Sequence, residues 1–266
     1  MYPEIFNIAT PEFLRGILPD RLIFHSYGLM IALGMVAVYS FCLPRVRKYG
    51  VDSSKLTNMF YLAFISAFIG GKIFYYLQDP QKYIENPRLI FQNIGSGFVF
   101  YGSLLFAVPA IMLWVKKNKI PLRSFLDILA FVGPIVHSFG RMGCFLVGCC
   151  YGRACESPIG ITFTDELSKA KPLGTALYPT QLFDIAVNLI IIAVLYVLNK
   201  KKKFEGQLFL VYISLYAIGR SIVEIYRGDA ARGFVFGSVS HSQFIALLLV
   251  LTCAVVYRKW NSETKV

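Results

Sequence analysis

Apolar residues run through this chain in blocks of roughly twenty, each closed by a short basic or turn-forming segment. The first block is about Leu22–Leu43, ended by Pro44 and followed by Arg45, Arg47 and Lys48. The second is about Thr57–Leu77, broken at Asp79-Pro80, and the third is about Phe98–Val115, followed by Lys116, Lys117 and Lys119. The fourth, about Phe125–Phe139, delivers the chain to Arg141. The fifth is about Thr180–Leu198, stopped by Lys200 through Lys203; the sixth is about Gln207–Tyr226; the seventh is about Val235–Val256, followed by Arg258 and Lys259. Blocks of this length and polarity predict helices that span lipid. Ahead of them, Phe6, Ile8, Phe13, Leu14, Ile17 and Leu18 predict a short amphipathic helix over residues 1–21, lying at an interface.

The charges orient these blocks. Fifteen of the 27 Lys and Arg residues sit in the four short segments after the first, third, fifth and seventh blocks. Basic loops stay on the cytoplasmic side, so the expected N-terminus is outside and the C-terminus is cytoplasmic. That alternation needs an odd number of spans, and seven are read. The expectation is an all-α membrane protein of about seven transmembrane helices, a single integral domain over residues 1–266. Residues 141–179 would form a small extracytoplasmic loop region.

Composition agrees. The chain is 56% hydrophobic and only 16% charged, whereas a soluble domain carries about a quarter charged residues. The net charge of +12 raises nucleic acid as a partner, but the basic residues follow apolar blocks instead of gathering on a soluble face, which argues against it. Glu4, Glu12 and Asp20 in the first twenty residues argue against a cleavable signal peptide.

Polar residues inside the blocks are the candidates for chemistry. An arginine at the foot of an apolar helix is costly unless an anion or a carbonyl cage receives it, so Arg141 reads as functional. In the sixth block Tyr216, Arg220, Glu224 and Arg227 are spaced four, four and three apart and share one helix face. A self-neutralised Arg220–Glu224 pair would serve structure alone. Two guanidiniums at one depth would instead grip a phosphate, since the planar fork matches two phosphate oxygens. At that depth the available phosphate is a phospholipid headgroup. Gly140, Gly143, Gly148 and Gly152 permit tight turns and close approach of a ligand, or close packing of helices. Gln181, Asp184 and Asn188 form a polar stripe on the fifth block that points into the bundle.

Cys42 and Cys253 lie in apolar blocks and read as core. Cys144, Cys149, Cys150 and Cys155 form C-x4-C-C-x4-C on the outer side. Three readings stand open for them: disulfides, a metal site with His137, or a thiol used in catalysis. Weighed against the usual C-x2–4-C spacing of zinc sites, the metal reading stands lowest, and neither metal nor cofactor is expected.

The stretch Gly140 to Gly152, GRMGCFLVGCCYG, resembles the prolipoprotein diacylglyceryl transferase signature G-R-x-G-N-F-x-N-x-E-x-x-G. Ser26 to Met30, SYGLM, resembles that family's first-helix motif, and Gly70-Gly71-Lys72 its second-helix G-A/G-R. Tyr178 to Asp184, YPTQLFD, is similar to H-P-S/T-Q-L-Y-E, and Tyr216 to Arg227 matches Y-x-x-x-R-x-x-x-E-x-x-R. The resemblance implies an enzyme of the cytoplasmic (inner) membrane that moves the diacylglyceryl group of phosphatidylglycerol onto the lipobox cysteine of a lipoprotein precursor, releasing glycerol phosphate. It implies that Arg141 and Arg220 hold the lipid phosphate, that Glu224 orients Arg220 and that Tyr27 lines the headgroup site. Gly140, Gly143, Cys144, Cys149, Gly152, Gln181 and Tyr216 would complete the substrate site.

Departures from the family pattern mark where this chain differs. Tyr101-Gly102-Ser103 stands where the family has H-G-G, so Tyr101 takes the place of the histidine proposed as base. Cys144, Val147 and Cys149 replace two asparagines and a glutamate of the signature. The phosphate clamp is kept, and thiols replace the polar groups around the acceptor. One alternative keeps the fold and the phospholipid but uses another acceptor or a cysteine nucleophile; another is a non-enzymatic membrane thiol-redox protein.

Overall fold

The computed structural model describes residues 3–9, 21–92, 97–227, 234–236 and 239–264. The helices are α1 (Ser26–Arg47), α2 (Ser53–Tyr76), α3 (Pro80–Glu85), α4 (Arg88–Gln92), α5 (Phe100–Lys117), α6 (Leu122–Val147), α7 (Thr180–Asn199), α8 (Gln207–Ile225) and α9 (His241–Glu263). The strands are β1 (Glu4–Ala9), β2 (Arg21–His25), β3 (Ile161–Thr162), β4 (Ala176–Leu177), β5 (Phe234–Phe236) and β6 (Val239–Ser240), paired as three two-stranded antiparallel sheets.

Helices α1, α2, α6, α7, α8 and α9 are long and apolar enough to cross a membrane, and at most 28% of each such stretch is buried within the chain. Large apolar side chains such as Phe64, Ile190 and Val255 are exposed instead. Lipid is the solvent that makes such exposure favourable. The 18-residue α5, closed by Lys116 and Lys117, occupies the place of the third expected block. The all-α membrane class stands, with small hairpins added.

Several boundaries differ from the sequence reading: the first block opens with β2 and its helix starts at Ser26, and the seventh opens with β5 and β6 and its helix runs His241–Glu263. Residues 4–9 are a strand, not part of an amphipathic helix: β1 pairs with β2, and Phe6 stacks on Phe24 at 4.4 Å. Pairing satisfies backbone groups that an interface leaves short of water. Residues 10–20, with Phe13, Leu14, Ile17 and Leu18, lie outside the described residues. Pro44 does not end α1, which continues to Arg47; the helix keeps one further turn beyond the proline. In α6 the helix runs on to Val147, carrying Arg141, Gly143 and Cys144 with it, so irregular backbone begins only at Gly148.

Two compact units are formed, Cys42–Phe125 and Met1–Phe41 with Leu126–Val266. In the first, α2 meets α5 backbone to backbone. A Cβ built on Gly70 would lie 2.3 Å from the carbonyl oxygen of Gly102, so only glycine allows this approach. In the second, Ala130, Phe131, Ile191, Leu195 and Leu208 join α6, α7 and α8 in one core. Asp127 of α6 fixes where α8 starts. Its Oδ1 accepts from the backbone N–H groups of Leu208 (2.9 Å) and Phe209 (3.2 Å), and its Oδ2 from Gly206 (2.9 Å). These are donors that a helix N-terminus leaves unpaired. Lys202 adds an ion pair to the same carboxylate at 3.1 Å.

Candidate active site

Helices α6, α7 and α8 bring the polar residues of the larger unit together. Asp184 Oδ2 stands 2.8 Å from Arg141 Nε, and both side chains are largely buried. The Nε–H itself is donated to His137 Nε2, one turn earlier, at 3.1 Å. The Asp184 contact is therefore a charge pairing, consistent with Oδ2 being a buried oxygen that accepts no hydrogen bond. Asn188 Nδ2 lies 3.0 Å from His137 Nδ1 and donates to the Asp184 carbonyl at 2.8 Å. The polar stripe expected on the fifth block is thus the wall against which Arg141 rests.

On α8, Arg220 Nη2 pairs with Glu224 one turn on. Its Nη1 is buried with no hydrogen-bond partner among the described residues. A buried guanidinium nitrogen left unsatisfied is expensive, and a ligand oxygen or a water could satisfy it. The charges of Arg141 and Arg220 both reach His137 and Tyr216. Those two rings meet edge to face at 5.5 Å. Both arginines thus lie within electrostatic reach of the same two rings. Arg141 meets both His137 and Asp184 through Nε, so its terminal Nη groups take part in neither contact.

Tyr27, in the first turn of α1, lies on Gly143: a Cβ there would come 2.7 Å from its ring. Tyr27, Cys144, Cys149, Cys150 and Lys169 line a cavity of about 1030 Å³, whose other wall is the β1–β2 hairpin. That volume is at the upper end for a small-ligand site. Gly140 opens onto space, with nothing within 4 Å of a built Cβ. Gly152 is packed the opposite way: a Cβ would meet the Tyr226 carbonyl at 2.4 Å, and its N–H donates to Tyr178 O at 2.8 Å.

The turn after α6 is tied to the start of α7. Gly148 and Cys150 both take left-handed backbone, at φ of 78° and 62°, which curls the chain back after the helix. Gln181 Nε2 donates to the Cys149 carbonyl at 2.7 Å and Thr180 Oγ1 to that of Cys150 at 2.8 Å. As a result the sulfurs of Cys144, Cys149 and Cys150 lie within 4.8 Å of one another. Cys150 is pushed below the ordinary thiol range, first by hydrogen bonds from the Cys144 and Cys149 thiols and then by the charges of Arg141 and Arg227. Cys155 stands apart, buried, with its thiol toward the Ser157 carbonyl at 3.6 Å.

Tyr101 belongs to the unit Cys42–Phe125, in the first turn of α5, with its side chain exposed. The sequence names His137 only as a metal-ligand candidate beside the cysteines and Asp184 only as part of a polar stripe, not as the partners of Arg141 that they are. Their signal was present: His137 precedes Arg141 by one helical turn, and Asp184 sits between Gln181 and Asn188 on one face.

Comparison with known proteins places the whole span of these helices in one family. The family model described as prolipoprotein diacylglyceryl transferase matches residues 18–258. A phosphatidylglycerol–prolipoprotein diacylglyceryl transferase of Clostridium tetani (strain Massachusetts / E88) is 35% identical over 227 residues, covering 85% of this chain and 89% of that protein. The enzyme named phosphatidylglycerol–prolipoprotein diacylglyceryl transferase 2 of Clostridium perfringens (strain 13 / Type A) is 37% identical over 234 residues, covering 88% and 90%. A relative of the same description from Dehalococcoides mccartyi is 31% identical over 231 residues.

Proposed function

The chain belongs to the prolipoprotein diacylglyceryl transferase family, and from that premise we propose that it moves the diacylglyceryl group of phosphatidylglycerol onto the lipobox cysteine of lipoprotein precursors. It does so in the cytoplasmic membrane, with the N-terminus outside and the C-terminus in the cytoplasm. The basic residues closing α1 and α5, Arg45, Arg47, Lys116 and Lys117, support that orientation.

The observation that carries the reading is the pair of arginines around His137 and Tyr216, one with a buried Nη1 that has no partner among the described residues. Arg141 and Arg220 hold the lipid phosphate, and Asp184 and Glu224 fix their orientation. When the thiol gives its proton to a base or to solvent and its sulfur attacks the glyceryl carbon, the C–O bond breaks and its electron pair stays on the phosphate oxygen. The leaving glycerol phosphate gains negative charge, so fixed guanidiniums stabilise the transition state more than the ground state. Tyr27 and the adjoining cavity receive lipid or precursor beside that point. Tyr101, the residue at the family's histidine position, is offered as the residue nearest in role to a base.

The test is transfer of labelled diacylglyceryl from phosphatidylglycerol to a lipobox peptide in membranes. Arg141→Ala and Arg220→Ala are expected to abolish it. Wild-type rates in both variants, with the proteins folded, overturn the reading.

A further inference from the structure

The three sulfurs that meet beyond α6 are not explained by a phosphate clamp. Cys144 comes from the last turn of the helix, while Cys149 and Cys150 come from the curled turn that follows. Gln181 and Thr180 pin the carbonyls of that turn, so the thiols are held from two directions. Three soft ligand atoms within 4.8 Å of one another are close to what one ion needs. At a zinc–sulfur distance of about 2.3 Å, tetrahedral geometry places sulfurs roughly 3.8 Å apart. Small side-chain rotations close the difference.

The surroundings suit a three-thiolate complex. Zinc with three thiolates carries one net negative charge, and the positive charges of Arg141 and Lys169 both reach the cluster. An odd number of thiols also leaves one over in any disulfide pairing, whereas all three serve a single ion. All three cysteines line the cavity of about 1030 Å³, which has room for a fourth ligand from outside the protein. Structural zinc sites are closed by four protein ligands; three ligands and an open position are the mark of a catalytic one.

We propose that Cys144, Cys149 and Cys150 form a three-thiolate site for a soft divalent cation of the zinc class, whose open position takes the acceptor thiol. The inference rests on the transferase reading. The acceptor thiol gives its proton to solvent as it coordinates. Its sulfur lone pair then forms the S–C bond to the glyceryl carbon. The C–O bond to phosphate breaks with its electrons on oxygen, and glycerol phosphate departs held by Arg141 and Arg220. The metal stays divalent throughout. The thioether formed is a poorer donor than the thiolate and leaves the ion free for the next acceptor. Such a site supplies the activated thiolate without a histidine at position 101.

The test uses the full chain, purified in micelles under reducing conditions and titrated with Co2+ and Cd2+. Sulfur-to-metal charge-transfer absorption saturating at about one ion per chain is expected. Cys149→Ser and Cys150→Ser should lose it, whereas Cys155→Ser, outside the cluster, should keep it and serve as the folding control. Adding a lipobox peptide should shift the Co2+ spectrum as a fourth sulfur enters, and the serine version of the peptide should not. Absence of the absorption, its persistence in the cluster variants, or an unshifted spectrum with peptide each overturns the proposal. So does a full transfer rate after the metal is stripped. A zinc-loaded chain that binds the peptide thiol yet transfers no lipid supports the site and overturns only the transferase reading.

Discussion

Asp184 of α7 sets the Arg141 guanidinium of α6, its Oδ2 2.8 Å from Nε with the aspartate side chain 3% exposed. A charge pair this deep does not rank as a source of net stability, because desolvation offsets the attraction. Its effect is positional: Asp184 and His137 fix Arg141 at Nε and leave its terminal nitrogens out of both contacts. Asp184→Ala leaves a buried cation uncompensated. It is expected to lower stability by about 3 kcal/mol, read as a fall in the thermal unfolding midpoint in micelles. Asp184→Asn, which keeps the shape, should lose transfer more than it loses stability.

Arg220 tests fork against charge. Arg220→Lys keeps the positive charge near Glu224 but replaces a planar two-point donor with a single ammonium. Removing one such stabiliser of developing negative charge costs on the order of 100-fold in turnover. Arg220→Lys is therefore expected to transfer about 100-fold more slowly in steady-state assays, with unfolding little changed. Glu224→Gln should cost less, since it frees the guanidinium without removing it.

The helical frame was legible because lipid forces the same rule on every span: apolar side chains outward, backbone bonds within the helix. Thr180–Asn199 and Gln207–Ile225 fall within a residue of the expected fifth and sixth blocks. The arginines were legible for the complementary reason, as charges with no cause to be there. What periodicity did not reveal lies in tertiary contacts. The β1–β2 pairing joins residues as far apart as Glu4 and His25. The α6 terminus depends on Gly148 taking φ of 78°, and C-x4-C-C spacing alone does not say that the turn folds three thiols together.

Asp127 is the contact that registers α6 against α8. It accepts three backbone N–H groups around Gly206, Leu208 and Phe209 from 79 to 82 residues away in sequence. Gly206 itself provides no side-chain cap. Asp127→Ala strands those donors and is expected to destabilise the protein by about 2 kcal/mol. Thermal unfolding should show the loss. Transfer measured well below the midpoint should fall less than twofold, because Arg220 lies more than three turns further along α8.

Gly140 and Gly143 stand on successive turns of α6, and the structure assigns them opposite constraints. A Cβ at Gly143 meets the Tyr27 ring at 2.7 Å, while one at Gly140 meets no protein atom within 4 Å. Replacing glycine by alanine in a helix gains up to about 1 kcal/mol when space is available. Gly140→Ala should therefore raise the unfolding midpoint slightly. If substrate occupies that open space, the same variant should raise KM for phosphatidylglycerol while leaving kcat nearly unchanged. Gly143→Ala must displace Tyr27 from α6 and should lower both stability and affinity. The informative outcome is the split between the two: a stable Gly140→Ala protein with unaltered KM would mean that the space beside Arg141 is not where the lipid lies.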